Sequence, residues 1–197
     1  MPSFLRHTTN SIQHRLSGFT LIELLIVIAV IGILMTAVLS AINPVEQIRK
    51  GTDTRKRSDA AEFLTSLERY YTTFNCYPWQ MTAAGTCNTV LISSPTQMST
   101  MMGGAPGCGT AACTINELLD KNEIKKEFLA RGTNGGFTTQ YVTQDAEDLL
   151  HVCFVPESKT FQAQAKTRGL QRDGSTGSCT TNFDTPSTQT CHTCLPE

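Results

Sequence analysis

The sequence predicts an α+β protein: a long N-terminal α-helical stem, one half membrane-spanning and the other amphipathic, packed on a small antiparallel sheet with disulfide-clipped loops. Three observations predict it. An apolar run begins at Phe19, a stripe of helical period follows it, and strand-like runs lie beyond among eight cysteines. The chain of 197 residues has room for one or two domains, and its formal charge of −1 points to neither nucleic acid nor an acidic substrate. The expected organisation is a leader over 1–18, a membrane-spanning helix over 19–42, an amphipathic stem helix over 43–75, and an exported head over 76–197 that ends in a cysteine-rich loop.

The run from Phe19 to Ile42 is 24 residues long and carries one acid, Glu23. At about 1.5 Å per residue it spans a hydrocarbon core of roughly 30 Å. A carboxylate at the centre of such a segment costs on the order of 2.5–3.5 kcal/mol, and less near the interface, where Glu23 lies. Arg6, His7, His14 and Arg15 precede the run without any acid, a flank that keeps residues 1–18 in the cytoplasm and exports the rest. A secretory signal would place its apolar core before an Ala-x-Ala-like cleavage site.

Ser17-Gly18-Phe19-Thr20-Leu21-Ile22-Glu23, followed by nineteen uncharged residues, resembles the class III signal of type IV prepilins and pseudopilins. The resemblance covers about residues 17–79. It implies that a prepilin peptidase/methyltransferase cuts between Gly18 and Phe19 and methylates the new amine of Phe19, so that the apolar helix stays on the mature protein. It also implies that Glu23 serves assembly by pairing with the Phe19 amine of a neighbouring subunit, which offsets desolvation in a filament core. A glutamate that snorkels to the headgroups is the plain alternative. The implied partners are further copies or other pilins in a filament, the inner-membrane assembly machinery, and the membrane itself before assembly.

Beyond the run, Ala60, Phe63, Leu64, Leu67, Tyr71 and Phe74 recur at helical spacing. Glu46, Asp53, Asp59, Glu62 and Glu68 interleave with Arg49, Lys50, Arg55, Lys56, Arg57 and Arg69 on the remaining surface. Gly32 and Pro44 are the flexible points. The resemblance implies that the stem can loosen near Pro44 in filaments; the plain alternative is a kink or a helix restart, with Asn43 as N-cap and Pro44 at the first helical position. Residues 49–57 hold five basic residues against one acid. No aromatic residue interleaves them to stack on bases, so a solvated helix face is the expected reading and DNA binding the minor one.

Tyr77-Pro78-Trp79 is expected to end the stem helix. Residues 80–112 read as a loop-rich insertion. Thr114 to Glu117 reads as a capping box that opens a helix to about Arg131, with a break near Asp120-Lys121-Asn122 and a stop at Gly132. Phe137–Thr143, Leu149–Val155 and Phe161–Thr167 read as three antiparallel strands, with Pro156-Glu157-Ser158-Lys159 as the turn between the last two. Three strands need a cover for their apolar face, and the stem stripe supplies it.

Cys76, Cys87, Cys108, Cys113, Cys153, Cys179, Cys191 and Cys194 all lie beyond the stem, an even count that reads as a disulfide framework in an oxidising compartment. Cys76–Cys87 and Cys108–Cys113 are the expected local pairs, and Cys153–Cys179 would pin the polar tail to the sheet. Cys191-His192-Thr193-Cys194 lacks the strand–helix setting of a thioredoxin-like site, and Leu195 stands where haem attachment needs histidine. It has no second close-spaced pair for zinc. Asp173 and Asp184 raise calcium binding of the kind found in major pseudopilins, without a ligand pattern between them. No catalytic constellation or cofactor motif is present in the sequence. The expected function is that of a structural pilus subunit, anchored in the inner membrane before assembly and displayed at the surface after it. Its roles would lie in adhesion, motility or DNA uptake, the last the one setting for nucleic acid. A secretion pseudopilin is the alternative, and a membrane-anchored cysteine-rich binding protein that never polymerises is the third reading.

Overall fold

The computed structural model describes residues 18–92, 94–144, 149–181 and 190–196. The chain divides into two units, 1–43 and 44–197. The first contains helix α1, Leu21–Ala41. It runs without interruption through Gly32, and all of its residues are exposed. Its 21 residues are long and apolar enough to cross a membrane. The helix ends at an extended Ile42, and α2 begins with Pro44 as its first residue. The helix therefore restarts at Pro44: proline suits the first turn, where its missing N–H has no helical partner to lose.

In the second unit, α2 (Pro44–Phe74) carries the head. Its buried face is Asp53, Lys56, Asp59, Ala60, Phe63, Ser66, Leu67 and Tyr70, a stripe at spacings of one, three and four. Two expectations are corrected here. Tyr70, not Tyr71, enters the core, because the stripe steps from Leu67 by three; Tyr71 remains 42% exposed. Asp53, Lys56 and Asp59 also leave the solvated face, since each meets a polar group of the head. Lys56 Nζ donates to Val155 O at 3.0 Å and to Glu157 at 2.6 Å. Arg131 Nε lies 2.9 Å from Asp59, and Arg131 also pairs with Glu62. Burial pushes the Asp59 carboxyl up, while Arg131 and Arg55 beside it act in the opposite direction. α2 stops three residues before Tyr77-Pro78, where Asn75 takes a left-handed φ of 55°. Asparagine tolerates that conformation, and it ends the helix before the proline could.

Residues 78–113 form single 3₁₀ turns at Pro78–Gln80, Met98–Met102 and Ala111–Cys113, with the short strand β1 at Thr96–Gln97. Helices α3 (Thr114–Asp120) and α4 (Lys126–Arg131) are divided at the expected break. The capping box predicted at Thr114 does not form. Thr114 is already helical at φ −51°, ψ −53°, and its hydroxyl donates to Ala111 O instead. Glu117 is buried and accepts from Tyr70 Oη at 2.9 Å; burial first, and this bond second, raise the tyrosine pKa.

Strands β2 (Gln140–Gln144) and β3 (Leu150–Phe154) pair as expected. The third expected strand is a helix, α5 (Lys159–Arg168). In its alternating Phe-Gln-Ala-Gln-Ala-Lys every residue after the phenylalanine is a good helix former, so propensity outweighs the period-two pattern. Ser158 caps its start, and Gly169 at φ 62° closes its end, where a Cβ would sit 2.7 Å from Gly177 O. The missing strand comes from the tail: β4 (Thr193–Leu195) pairs with β3 and completes an antiparallel sheet of order β1-β2-β3-β4 among the described residues. The fold is thus α+β, with four disulfides.

Val142, Val152, Phe154 and Leu195 face Ala60, Phe63, Leu67 and Tyr70 of α2 in one core, which Trp79, Met98, Met101, Ile115, Leu118, Phe128 and Phe137 complete. Phe63 stacks on Phe128 at 5.9 Å, and Phe128 meets Phe137 at 4.7 Å. Each such ring removed from water contributes about 2–3 kcal/mol, which is why α2 and the sheet hold together without a membrane. The cysteines pair 76–87, 108–113, 153–194 and 179–191. The expected Cys153–Cys179 bond is corrected: β4 places Cys194 directly opposite Cys153 in register, and Cys179 is left to close the tail loop with Cys191.

Candidate processing and assembly site

The N-terminal segment is built from the backbone outward. Thr20 is extended (φ −80°, ψ 150°) and caps α1: its Oγ1 accepts from Glu23 N at 3.3 Å. Glu23 reaches back, its Oε2 accepting from Thr20 N and Thr20 Oγ1, both at 3.0 Å. This is a complete capping box, which satisfies two donors that the first helical turn would leave open. The sequence held the signal, Thr-x-x-Glu before an apolar run, and the reading of Glu23 as an assembly residue passed over it.

The capping box decides what lies upstream. Gly18 and Phe19 stay outside the helix and are exposed, Phe19 at 83%. A Cβ on Gly18 would meet nothing within 4 Å. The fold therefore sets no steric demand for glycine there, and Gly18 and Phe19 are both exposed. A charged amine on Phe19 would stand at the positive end of α1, an unfavourable place that the Glu23 carboxylate offsets. Glu23 is thus held on the first turn, close in sequence to the proposed cleavage point. The leader, including Arg6, His7, His14 and Arg15, lies outside the described residues.

The remaining candidates separate cleanly. Cys191 and Cys194 belong to different disulfides, so the Cys-x-x-Cys spacing makes no redox pair. His192 between them is buried, its Nδ1 lies 2.9 Å from Thr190 O, and burial pulls its pKa down. Asp173 accepts from Ser175 N and Oγ in a local turn, while Asp184 lies outside the described residues. Among the described residues no cluster of three or more His, Cys, Asp or Glu is arranged to hold a metal. Lys56, one of the basic residues of 49–57, is turned into the head.

Comparison with curated proteins and with solved structures finds no match to the chain. Residues 14–39 match the prokaryotic N-terminal methylation motif, a span that takes in the leader's end, the Gly18–Phe19 peptide, Glu23 and most of α1. That motif belongs to type IV pilin or pseudopilin-type precursors, structural subunits handled by prepilin peptidase and pilin assembly machinery. The chain therefore carries, on an apolar N-terminal helix able to span a membrane, the methylation motif of type IV pilin-like proteins.

Proposed function

We propose that this protein is a structural subunit of a type IV pilus, cut between Gly18 and Phe19, methylated on Phe19, and polymerised through α1 into a surface filament. One observation carries the reading: apart from Glu23, α1 carries no charge and is predominantly apolar, yet none of its residues is buried. Such a helix needs a second environment. The bilayer supplies one before assembly, with the leader cytoplasmic and the head exported, and a bundle of like helices supplies another afterwards. In that bundle Glu23 pairs with the Phe19 amine of a neighbour and sets the register between subunits, because an unpaired carboxylate in an apolar core is costly. The disulfide-closed head then faces outward, in the oxidising setting that its four bonds favour.

Mass spectrometry of the N-terminus, in sheared surface material and separately in membranes, tests this. Methylated Phe19 in sheared filaments is the expected result. The same processed end confined to membranes would favour a pseudopilin, and an intact leader in both fractions would overturn the reading.

A further inference from the structure

We propose that a groove on the head, between the end of α2 and the Cys76–Cys87 loop, is a binding site for a neutral saccharide. The cleft is ≈ 570 Å³, within the range of small-ligand sites, and is lined by Tyr71, Asn75, Tyr77, Thr89, Leu91 and Gln144 among others. None of the described residues lining it carries a charge, although charged side chains are abundant elsewhere on α2. The lining instead combines aromatic rings, carboxamides and hydroxyls. Rings offer a flat apolar face to the C–H surface of a sugar, and amides both donate to and accept from its hydroxyls. Among the described lining residues an anion or a cation finds no counter-charge.

The groove is built rather than incidental. Tyr71 lies 4.8 Å from Tyr77, which stacks on the fully buried Trp79 at 4.6 Å, so a row of rings runs from the core to the surface. Gln80 holds the wall: its Oε1 accepts from Tyr77 N at 2.9 Å and its Nε2 donates to Val90 O at 3.2 Å. Asn88 donates to Gly109 O and accepts from Val90 N. Those two amides are committed to the protein. By contrast, the side chains of Tyr71, Asn75 and Thr89 make no hydrogen bond among the described residues. Gln144, 7% exposed on β2, has an Oε1 that is buried and unpartnered. A buried acceptor without a donor costs free energy, and a ligand hydroxyl reaching it would recover that cost. Leu91, 53% exposed at the rim, adds apolar surface for a sugar to cover.

The test uses the full chain in phospholipid nanodiscs, which avoid sugar-based detergents. The probes are glucose, galactose, N-acetylglucosamine and lactose, with glucuronate and glucosamine as charged counterparts, read by ligand-observed NMR. The expected result is saturable binding of at least one neutral sugar, weaker for its charged counterpart. Asn75→Gly, which keeps the left-handed turn while removing the amide, should weaken binding about tenfold. Tyr71→Ala should abolish it, with the unfolding midpoint of both variants near that of the parent. The proposal is overturned if no neutral sugar binds, if the charged sugars bind as well, or if both variants bind like the parent. Absence of sugar binding together with a loss of filaments in Tyr71→Ala would instead make the groove a contact between copies.

Discussion

The buried Asp53 carboxylate accepts from the backbone N–H groups of Glu157 and Ser158, each at 2.8 Å, and so satisfies the start of α5 from a different helix. Glu46, two turns earlier on α2, accepts in the same way from Lys159 N at 2.8 Å. Helix starts leave donors open and carry partial positive charge, so acids placed there stabilise them. The relationship turns what looked like a solvated charge on α2 into the attachment point of the segment between β3 and α5. Asp53→Ala should therefore destabilise the head by about 2–4 kcal/mol, since one buried and one part-buried donor lose their acceptor. Asp53→Asn should fall between, because its Nδ2 would face a donor. Urea unfolding of the full chain, read as a shift in midpoint at constant slope, checks both.

Glu23 closes the capping box, and on the proposed reading it also neutralises the amine of Phe19, so the two roles can be tested apart. Glu23→Gln keeps the first, since glutamine serves at the third helical position, and removes the second. We expect both Glu23→Gln and Glu23→Ala to be cleaved normally and to assemble poorly. Wild-type filament yield from Glu23→Gln alone would assign the role to capping and sink the ion pair.

Gly18 sits in open space outside α1. Gly18→Ala should leave the helix and the unfolding midpoint unchanged while blocking removal of the leader, seen as an unprocessed N-terminus by mass spectrometry. Normal processing of that variant would show that the cut lies elsewhere.

Cys153–Cys194 closes a separation of 41 residues and Cys108–Cys113 one of 5. Chain-entropy reasoning gives about 4 kcal/mol for the longer loop and about 2 kcal/mol for the shorter. Replacing Cys153 and Cys194 by serine should lower the unfolding midpoint more than the same change at Cys108 and Cys113. It should also free β4 from β3, detectable as faster amide exchange over 193–195.

His192 packs edge-on to Tyr141, 5.9 Å between rings, with Arg172 over the other ring at 5.0 Å. Burial, the largest cause, lowers its pKa below the ordinary 6.5; Arg172 adds to this, while the Thr190 carbonyl and Asp173 oppose it. The folded state thus binds its proton less readily than the unfolded chain, so its contribution to stability is present above about pH 6.5 and is lost as pH falls through the folded value. His192→Gln should flatten the fall in unfolding midpoint between about pH 7 and 5. An unchanged slope would remove His192 as its source.

Much of the architecture was legible in the sequence, and its errors share a cause. The apolar run, its methylation motif and the α2 stripe depend on local composition and period, which a single strand of text displays. Thr114-x-x-Glu117 and Thr20-x-x-Glu23 spell the same capping box, yet only Thr20 has the extended backbone that a cap requires. At Thr114 the preceding 3₁₀ turn has already wound the chain, so the text was identical and the geometry was not. Phe161–Thr167 alternates like a strand, but Ser158, Gly169 and the acids of α2 hold both of its ends as a helix.

By itself, then, the sequence determined the membrane-length helix, the processing signal, the stem stripe and a disulfide-bonded head, because each rests on neighbours within a few residues or on composition. Only the tertiary structure decided the partner of each cysteine in the tail, the strand that completes the sheet, the burial of Asp53, Lys56 and Asp59, and the groove beside Tyr71. Those depend on residues as much as a hundred positions apart, such as Asp53 and Ser158, meeting across a shared core. Register, burial and the pairing of buried polar groups exist only once such residues meet.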